Sequence, residues 1–213
     1  MSDSKVDLAA LLCSKICHDL LSPVGAINNG LELLEDETDP EMRDRCLDLL
    51  SDSARASADK LKYFRLAFGA AGGFGDDVDP AEAKELITSL IGDSGKITLG
   101  WAVQTEALPK KAIKILLNLA LIAREALVRG GRLDIGAEKG DVGIEVVVRA
   151  EGPKIAMDAG IRAALEGQLP EADLSARTAA AWMSRDLVLQ NGGDLRVSPA
   201  SGTELLLGAI VTA

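Results

Sequence analysis

The sequence predicts an α+β protein in which a helical hairpin at residues 1–68 is followed by a mixed sheet covered by helices at residues 81–213. Three observations support this prediction. Residues 1–68 have the apolar spacing of helices, residues 69–80 are rich in glycine and aspartate, and the rest of the chain alternates helical segments with short β-rich runs. We therefore expect two domains joined by a linker at residues 69–80.

The first helix carries an apolar stripe. Its positions are separated alternately by four and three residues, as at positions a and d of four heptads: Val6, Ala10, Cys13, Cys17, Leu20, Val24, Ile27, Leu31 and Leu34. Asp39 and Pro40 then separate this helix from a second one, because the residue before proline avoids the helical region and proline suits a first helical turn. The second helix repeats the stripe more weakly, at Leu47, Leu50, Ala54, Ser57, Leu61, Phe64 and Phe68.

One hairpin cannot enclose these two stripes by itself. A symmetric pairing of two hairpins into a four-helix bundle buries both stripes with one interface, so the sequence predicts a homodimer. The alternative is that the hairpin packs on its own C-terminal domain.

The second domain is predicted to alternate helices and strands in chain order. The helices are expected at residues 80–91, 109–129, 157–166 and 174–191, and the strands at residues 96–104, 131–138, 142–149, 194–198 and 203–211. Turn sequences such as Glu138 to Asp141 and Asn191 to Asp194 separate them.

Composition excludes several classes of function. The 33 acidic residues exceed the 23 basic ones, for a formal charge of −10, so the surface repels nucleic acid and anionic membranes. No apolar run approaches the ~20 residues that cross a bilayer, and the N-terminus lacks the layout of a signal peptide. We therefore expect a cytoplasmic protein. Its three cysteines are expected to be reduced core residues, and a chain with one histidine is a poor candidate for a zinc site.

That single histidine, His18, is the candidate nucleophile. It follows an a position and therefore falls at b, on the solvent side of the bundle. Imidazole can be phosphorylated on a ring nitrogen, and phosphoryl transfer needs in-line attack and charge neutralisation more than covalent machinery. From the pattern alone, however, an exposed histidine on a helix is more often without function.

The neighbours of His18 have candidate roles. Asp19 is predicted to accept a hydrogen bond from the ring, which keeps the attacking nitrogen unprotonated. Lys15, one turn earlier, is predicted to offer its charge to phosphate oxygens, and Ser22 lies one turn later on the same face.

Residues 18–27, which read HDLLSPVGAI, resemble the H-box of sensor histidine kinases, H-[ED]-L-[RK]-[TS]-P-L-x-x-I. Leu21 departs from it, since the family normally has a basic residue there. Ser22 stands where threonine is commoner and can serve a phosphatase reaction. Pro23 matches the proline of the box, which is informative because a proline inside a helix costs about 3 kcal/mol.

Residues 81–213 resemble the ATP-binding domain of the same kinases, and the resemblance implies a histidine-kinase-ATPase-like α/β sandwich. Its nucleotide boxes are degenerate. Ile122 stands at the magnesium-holding asparagine, Ala150 replaces the aspartate that recognises adenine, and Lys154 replaces a glycine of the same box. Residues 175–180 contain none of the glycines that surround the phosphates. We therefore expect no ATP binding and no ATP-dependent kinase activity.

A hairpin with an H-box on a degenerate kinase domain is similar to the alphaproteobacterial histidine phosphotransferases of the ChpT type. The resemblance implies that His18 takes a phosphoryl group from the receiver aspartate of a hybrid histidine kinase and passes it to response-regulator aspartates. Mg²⁺ would be supplied by the receiver, with no intrinsic cofactor. Receivers would dock just beyond the histidine, at Leu21, Ser22, Val24, Gly25 and Asn28, although Leu21 could equally widen the bundle core.

Two alternatives stay open. The first is an active histidine kinase that binds nucleotide through replaced residues. The second is a dimeric scaffold that binds receivers without transferring phosphate, because a fold can be kept after its chemistry is lost.

Overall fold

The computed structural model describes residues 3–69, 77–92 and 95–212 of the chain. It opens with two long helices that form the predicted hairpin, α1 (Asp3–Asp36) and α2 (Pro40–Phe68). The carboxylate of Asp39 caps α2 by accepting a hydrogen bond from the Glu41 N–H at 3.1 Å.

The C-terminal domain has the predicted α+β class. Its helices are α3 (Pro80–Ile91), α4 (Lys110–Ala126), α5 (Ala159–Glu166) and α6 (Ala179–Gln190), with one 3₁₀ turn at Glu171–Asp173. Its strands are β1 (Asp77–Val78), β2 (Ile97–Val103), β3 (Leu108–Pro109), β4 (Gly131–Lys139), β5 (Ile144–Glu151), β6 (Asp194–Val197) and β7 (Glu204–Val211). Five of them form a mixed sheet in the order β2-β4-β5-β7-β6, in which only the β2–β4 pair is parallel.

The core of this domain lies between one face of the sheet and helix α4. Alternate residues of β4, β5 and β7 are buried, as expected for a sheet with one covered face. Nearly all of α4 is buried, and it contributes five large, fully buried apolar side chains to the core: Ile113, Ile115, Leu116, Leu117 and Leu119.

The end of α2 belongs to the same core. Tyr63, Phe64, Leu66 and Ala67 are buried, and the Tyr63 hydroxyl donates a hydrogen bond to the carbonyl of Leu117 on α4. This part of the hairpin therefore packs on its own C-terminal domain, as the alternative interpretation held. The apolar stripe of α1 differs, because Val6, Cys13, Cys17, Val24 and Leu31 are exposed in the single chain.

Two predicted boundaries need correction. Residues 70–76 of the predicted linker lie outside the described residues, but β1 forms within its last part and pairs antiparallel with β3, and Pro80 already belongs to α3. The last helix begins at Ala179 instead of residue 174. The Ser175 N–H donates to Thr178 Oγ1 at 3.0 Å, so side-chain hydrogen bonds hold a turn where the pattern predicts helix.

The expectation about membrane spans also needs correction. Within the described residues, Lys5–Asp36 of α1 is long and apolar enough to cross a bilayer by length and composition. Its middle carries Lys15, His18 and Asp19, and charged groups at that depth are costly in lipid. We attribute its apolar character to helix packing.

Candidate functional site

His18 projects from α1 into solvent, with 85% of its side chain exposed. Its ring lies beside the next residue, and Nδ1 is 3.2 Å from Asp19 Oδ1. When Nδ1 carries the proton, it donates to this carboxylate and leaves the Nε2 lone pair facing solvent. The geometry therefore presents one ring nitrogen as a free nucleophile.

The proline of the H-box changes the hydrogen bonding of the helix directly behind this histidine. Pro23 lies inside α1 and has no N–H, so the carbonyl four residues earlier, at Asp19, loses its helical donor. Lys60 of α2 supplies a replacement, because its Nζ donates to this carbonyl at 2.8 Å. Helix α1 therefore continues past Pro23, and the Lys60 side chain of α2 donates the hydrogen bond that is missing at this point.

Lys15 connects the hairpin to the C-terminal domain. Its Nζ lies 3.2 Å from Asp19 Oδ2 and 3.1 Å from Glu125 Oε1 on α4. Only 11% of the Lys15 side chain is exposed. Burial lowers the pKa of Lys15, but the charges of Glu125 and Asp19 outweigh it, so the net pKa is raised. Lys15 is therefore a fixed positive charge between two carboxylates.

A cleft of about 470 Å³ opens between α1 and the C-terminal domain, with His18 and Lys15 in one wall. The opposite wall contains an ion pair between Arg177 and Asp158, with Nη1 3.1 Å from Oδ2. Asp158 also caps α5 by accepting from the Gly160 N–H at 2.8 Å. The charged side chains that line the cleft are thus paired with one another, Lys15 with Asp19 and Glu125, and Arg177 with Asp158.

The side chains at the degenerate boxes do not fit Mg²⁺-ATP. Ile122, which lines the cleft, is apolar and only 4% exposed, and Ala150 is fully buried. Neither position supplies an oxygen for a metal or an acceptor for the adenine amino group. The turn at residues 175–178 is closed by its own hydrogen bonds. Among the described residues, no group of three or more His, Cys, Asp or Glu side chains could hold a metal ion.

The residues predicted to contact receivers lie along α1 beyond the histidine. Leu21 is 69% exposed, and Ser22, Val24 and Asn28 are also exposed. Gly25 lies among them, and a Cβ added there would meet no atom within 4 Å. This part of the helix is an open, partly apolar strip.

Comparisons with known proteins agree with this architecture. Residues 80–203 match the family model of the histidine phosphotransferase C-terminal domain. The chain is 36% identical over 195 residues to the protein phosphotransferase ChpT of Brucella abortus (strain 2308), covering 92% of this chain and 90% of that protein. This chain belongs to the histidine phosphotransferase family.

A solved structure of a bacterial phosphotransferase matches with a TM-score of 0.82 and 33% identity, covering 96% of both chains. The histidine kinase domain of the Erythrobacter litoralis EL346 blue-light activated kinase matches less closely, with a TM-score of 0.49, 15% identity and coverage of 99% of this chain and 94% of that one. The fold of this histidine phosphotransferase is thus a helical hairpin followed by an α+β domain, as in the solved bacterial phosphotransferase.

Two residues at the site of this histidine phosphotransferase were missed by sequence reasoning. Lys60 gave no signal, because lysine on an exposed helix face is common. Glu125 did give one: residues 116–125 resemble a kinase helix box, L-x-N-L-L-x-N-A-x-K, whose final lysine is replaced here by a residue of opposite charge. Its partner Lys15 was predicted as a phosphate contact, and that role stays a prediction.

Proposed function

We propose that this protein is the histidine phosphotransferase of a multistep phosphorelay. His18 accepts a phosphoryl group from the receiver aspartate of a hybrid histidine kinase and passes it to response-regulator aspartates. One observation carries the proposal: an imidazole that is 85% exposed lies with Nδ1 3.2 Å from the Asp19 carboxylate, on a helix supported from behind by Lys60. We also propose that the protein works in the cytoplasm, where receivers and regulators are found.

The transfer can be written with these residues. The Nδ1–H of His18 donates to Asp19, so the lone pair on Nε2 attacks the phosphorus of the aspartyl phosphate in line with its bond to the carboxylate oxygen. The Nε2–P bond forms, the P–O bond breaks, and the receiver aspartate leaves as a carboxylate. Passing the group to a regulator aspartate reverses these bond changes. The receiver would hold the Mg²⁺, which would neutralise charge on the phosphoryl oxygens.

Lys15 and Ser22 flank the phosphoryl group in this proposal. An ammonium has three donors, and Asp19 and Glu125 account for two of them in the structure, so a third is available to a phosphoryl oxygen. Ser22, one turn beyond His18 and exposed, offers a hydroxyl on the other side. Both residues would contribute more to the transition state than to the resting protein.

The receiver is proposed to dock on the strip formed by Leu21, Val24, Gly25 and Asn28. An exposed leucine and valine beside a glycine allow the backbone of a partner to approach closely. The other residues of the apolar stripe of α1, apart from Val24, are proposed to pair with a second copy of the chain, because exposed apolar residues at heptad spacing are typical of a helix interface.

A phosphotransfer assay tests the proposal. The purified protein is incubated with a ³²P-labelled receiver domain of a hybrid kinase and Mg²⁺, and separately with labelled ATP. Label is expected from the receiver only, and His18→Gln should abolish it. Label acquired from ATP alone would identify an active kinase and contradict our expectation that ATP does not bind. A scaffold would be identified by two results together. The wild-type protein would take no label from any of several receivers, and His18→Gln would bind those receivers with unchanged affinity.

A further inference from the structure

The structure assigns Glu125, on helix α4 of the C-terminal domain, the role of a positioning residue for phosphoryl transfer at His18. It acts through Lys15, which orients the Asp19 carboxylate against the imidazole. This inference rests on the proposed function and adds to it a part for the C-terminal domain in the chemistry of the hairpin.

The inference follows from a continuous series of charged contacts. Asp19 uses its two carboxylate oxygens for two different neighbours: Oδ1 lies 3.2 Å from His18 Nδ1, and Oδ2 lies 3.2 Å from Lys15 Nζ. The orientation in which Asp19 accepts from the ring is therefore the orientation in which it also binds Lys15. Whatever fixes the Lys15 ammonium fixes the hydrogen bond that leaves Nε2 unprotonated.

Glu125 fixes that ammonium. A lysine side chain has four rotatable bonds and loses considerable rotamer entropy when it is held in one conformation. Here Nζ lies 3.1 Å from Glu125 Oε1, and Glu125 comes from a helix whose other faces are buried in the core. The raised pKa of Lys15 agrees with an ammonium that two carboxylates share.

Glu125 also limits how closely Lys15 binds Asp19. Without it, the ammonium would either turn to solvent, which releases Asp19, or move fully onto Asp19, which competes with the imidazole for the same carboxylate. Both rearrangements weaken the His18–Asp19 hydrogen bond. Because Glu125 is 37% exposed and the contact is partly screened, we expect a moderate effect on rate and not an absolute requirement.

The test compares Glu125→Gln, Lys15→Met and the double variant in the full-length protein. The single-turnover rate of transfer from a labelled receiver is measured at saturating receiver, and receiver affinity is measured separately. Glu125→Gln should slow transfer about fivefold, the size of a partly exposed ion pair, with receiver affinity unchanged. In the Lys15→Met background, Glu125→Gln should have no further effect, because its influence passes through Lys15. Glu125→Asp should recover part of the rate.

The matched control is Glu85→Gln, an exposed glutamate on α3 that lies outside the cleft, which should transfer at the wild-type rate. Three outcomes would overturn the inference: a wild-type rate for Glu125→Gln, a fivefold loss that persists in the Lys15→Met background, or a loss accounted for by weaker receiver binding. Failure of the proposed function is distinguishable, because then the wild-type protein itself would take no label from receivers.

Discussion

Lys60 donates a hydrogen bond to the backbone carbonyl of Asp19, at 2.8 Å, and so replaces the helical donor that Pro23 lacks. A residue of the second helix of the hairpin thus supplies the hydrogen bond that the H-box proline cannot donate. The helical turn that carries the candidate phosphoacceptor is held by a side chain 41 residues away in sequence.

Lys60→Met should test this support, because it keeps the aliphatic stem and removes the donor. Leaving the Asp19 carbonyl without a donor should lower the free energy of unfolding by about 1–2 kcal/mol, measured by chemical denaturation. Lys62→Met, which removes an exposed lysine paired with Asp59 on the same helix, should cost less than about 0.5 kcal/mol. Equal losses in the two variants would show that the carbonyl does not need Lys60.

Gly25→Ala should have opposite effects on stability and on receiver binding. A Cβ at residue 25 meets nothing within 4 Å, so the variant should gain roughly 0.5–1 kcal/mol of stability, because alanine favours a helix over glycine. If receivers dock on this strip, the new methyl group should weaken their binding.

Gly30→Ala is the matched control for this pair of effects. There the added Cβ would lie 2.9 Å from Leu50 Cδ2, so the side chain of Leu50 must move and the gain in stability should be smaller or absent. Receiver affinity that is unchanged in Gly25→Ala would place the docking surface elsewhere.

Leu31→Glu should separate the predicted dimer without unfolding the chain. Leu31 is a stripe residue that is already exposed in the single chain, so a charge there costs little unless a second copy covers it. Light scattering coupled to size exclusion should show a monomer for Leu31→Glu. Leu33→Glu changes a leucine that is outside the stripe and at least as exposed as Leu31, and this variant should stay dimeric. A dimer that survives Leu31→Glu would exclude this interface.

Asp158 should give a pH-dependent contribution to stability. Burial raises the pKa of Asp158, but hydrogen bonds from Arg177 and from the Ile161 and Gly160 N–H groups outweigh it, so its pKa is lowered on folding. Such a group stabilises the fold above its unfolded pKa, near 4, and this contribution is lost as the pH falls through the lower native value. The unfolding free energy of wild type should exceed that of Asp158→Asn at pH 7, and the difference should shrink as the pH falls below the unfolded pKa and through the lower native one. A difference independent of pH would contradict this.

Much of the fold could be predicted because its signals are local. Helix α3 was predicted at its observed bounds, since Asp79 caps it and Pro80 occupies its first turn. The β1–β3 pair was missed, because two-residue strands form only through their partner. The contacts Lys60–Asp19 and Lys15–Glu125 join residues 41 and 110 positions apart, and no periodicity or motif encodes such pairs.

The buried end of α2 has a consequence for how the molecule melts. Tyr63, Phe64, Leu66 and Ala67 belong to the hairpin by sequence but lie in the core of the sheet domain. The hairpin and the C-terminal domain should therefore unfold together in one calorimetric transition on heating, with no intermediate in which the hairpin alone stays folded. Because α1 packs on α2, the unfolding of the helix that bears His18 should be coupled through α2 to the unfolding of the C-terminal domain.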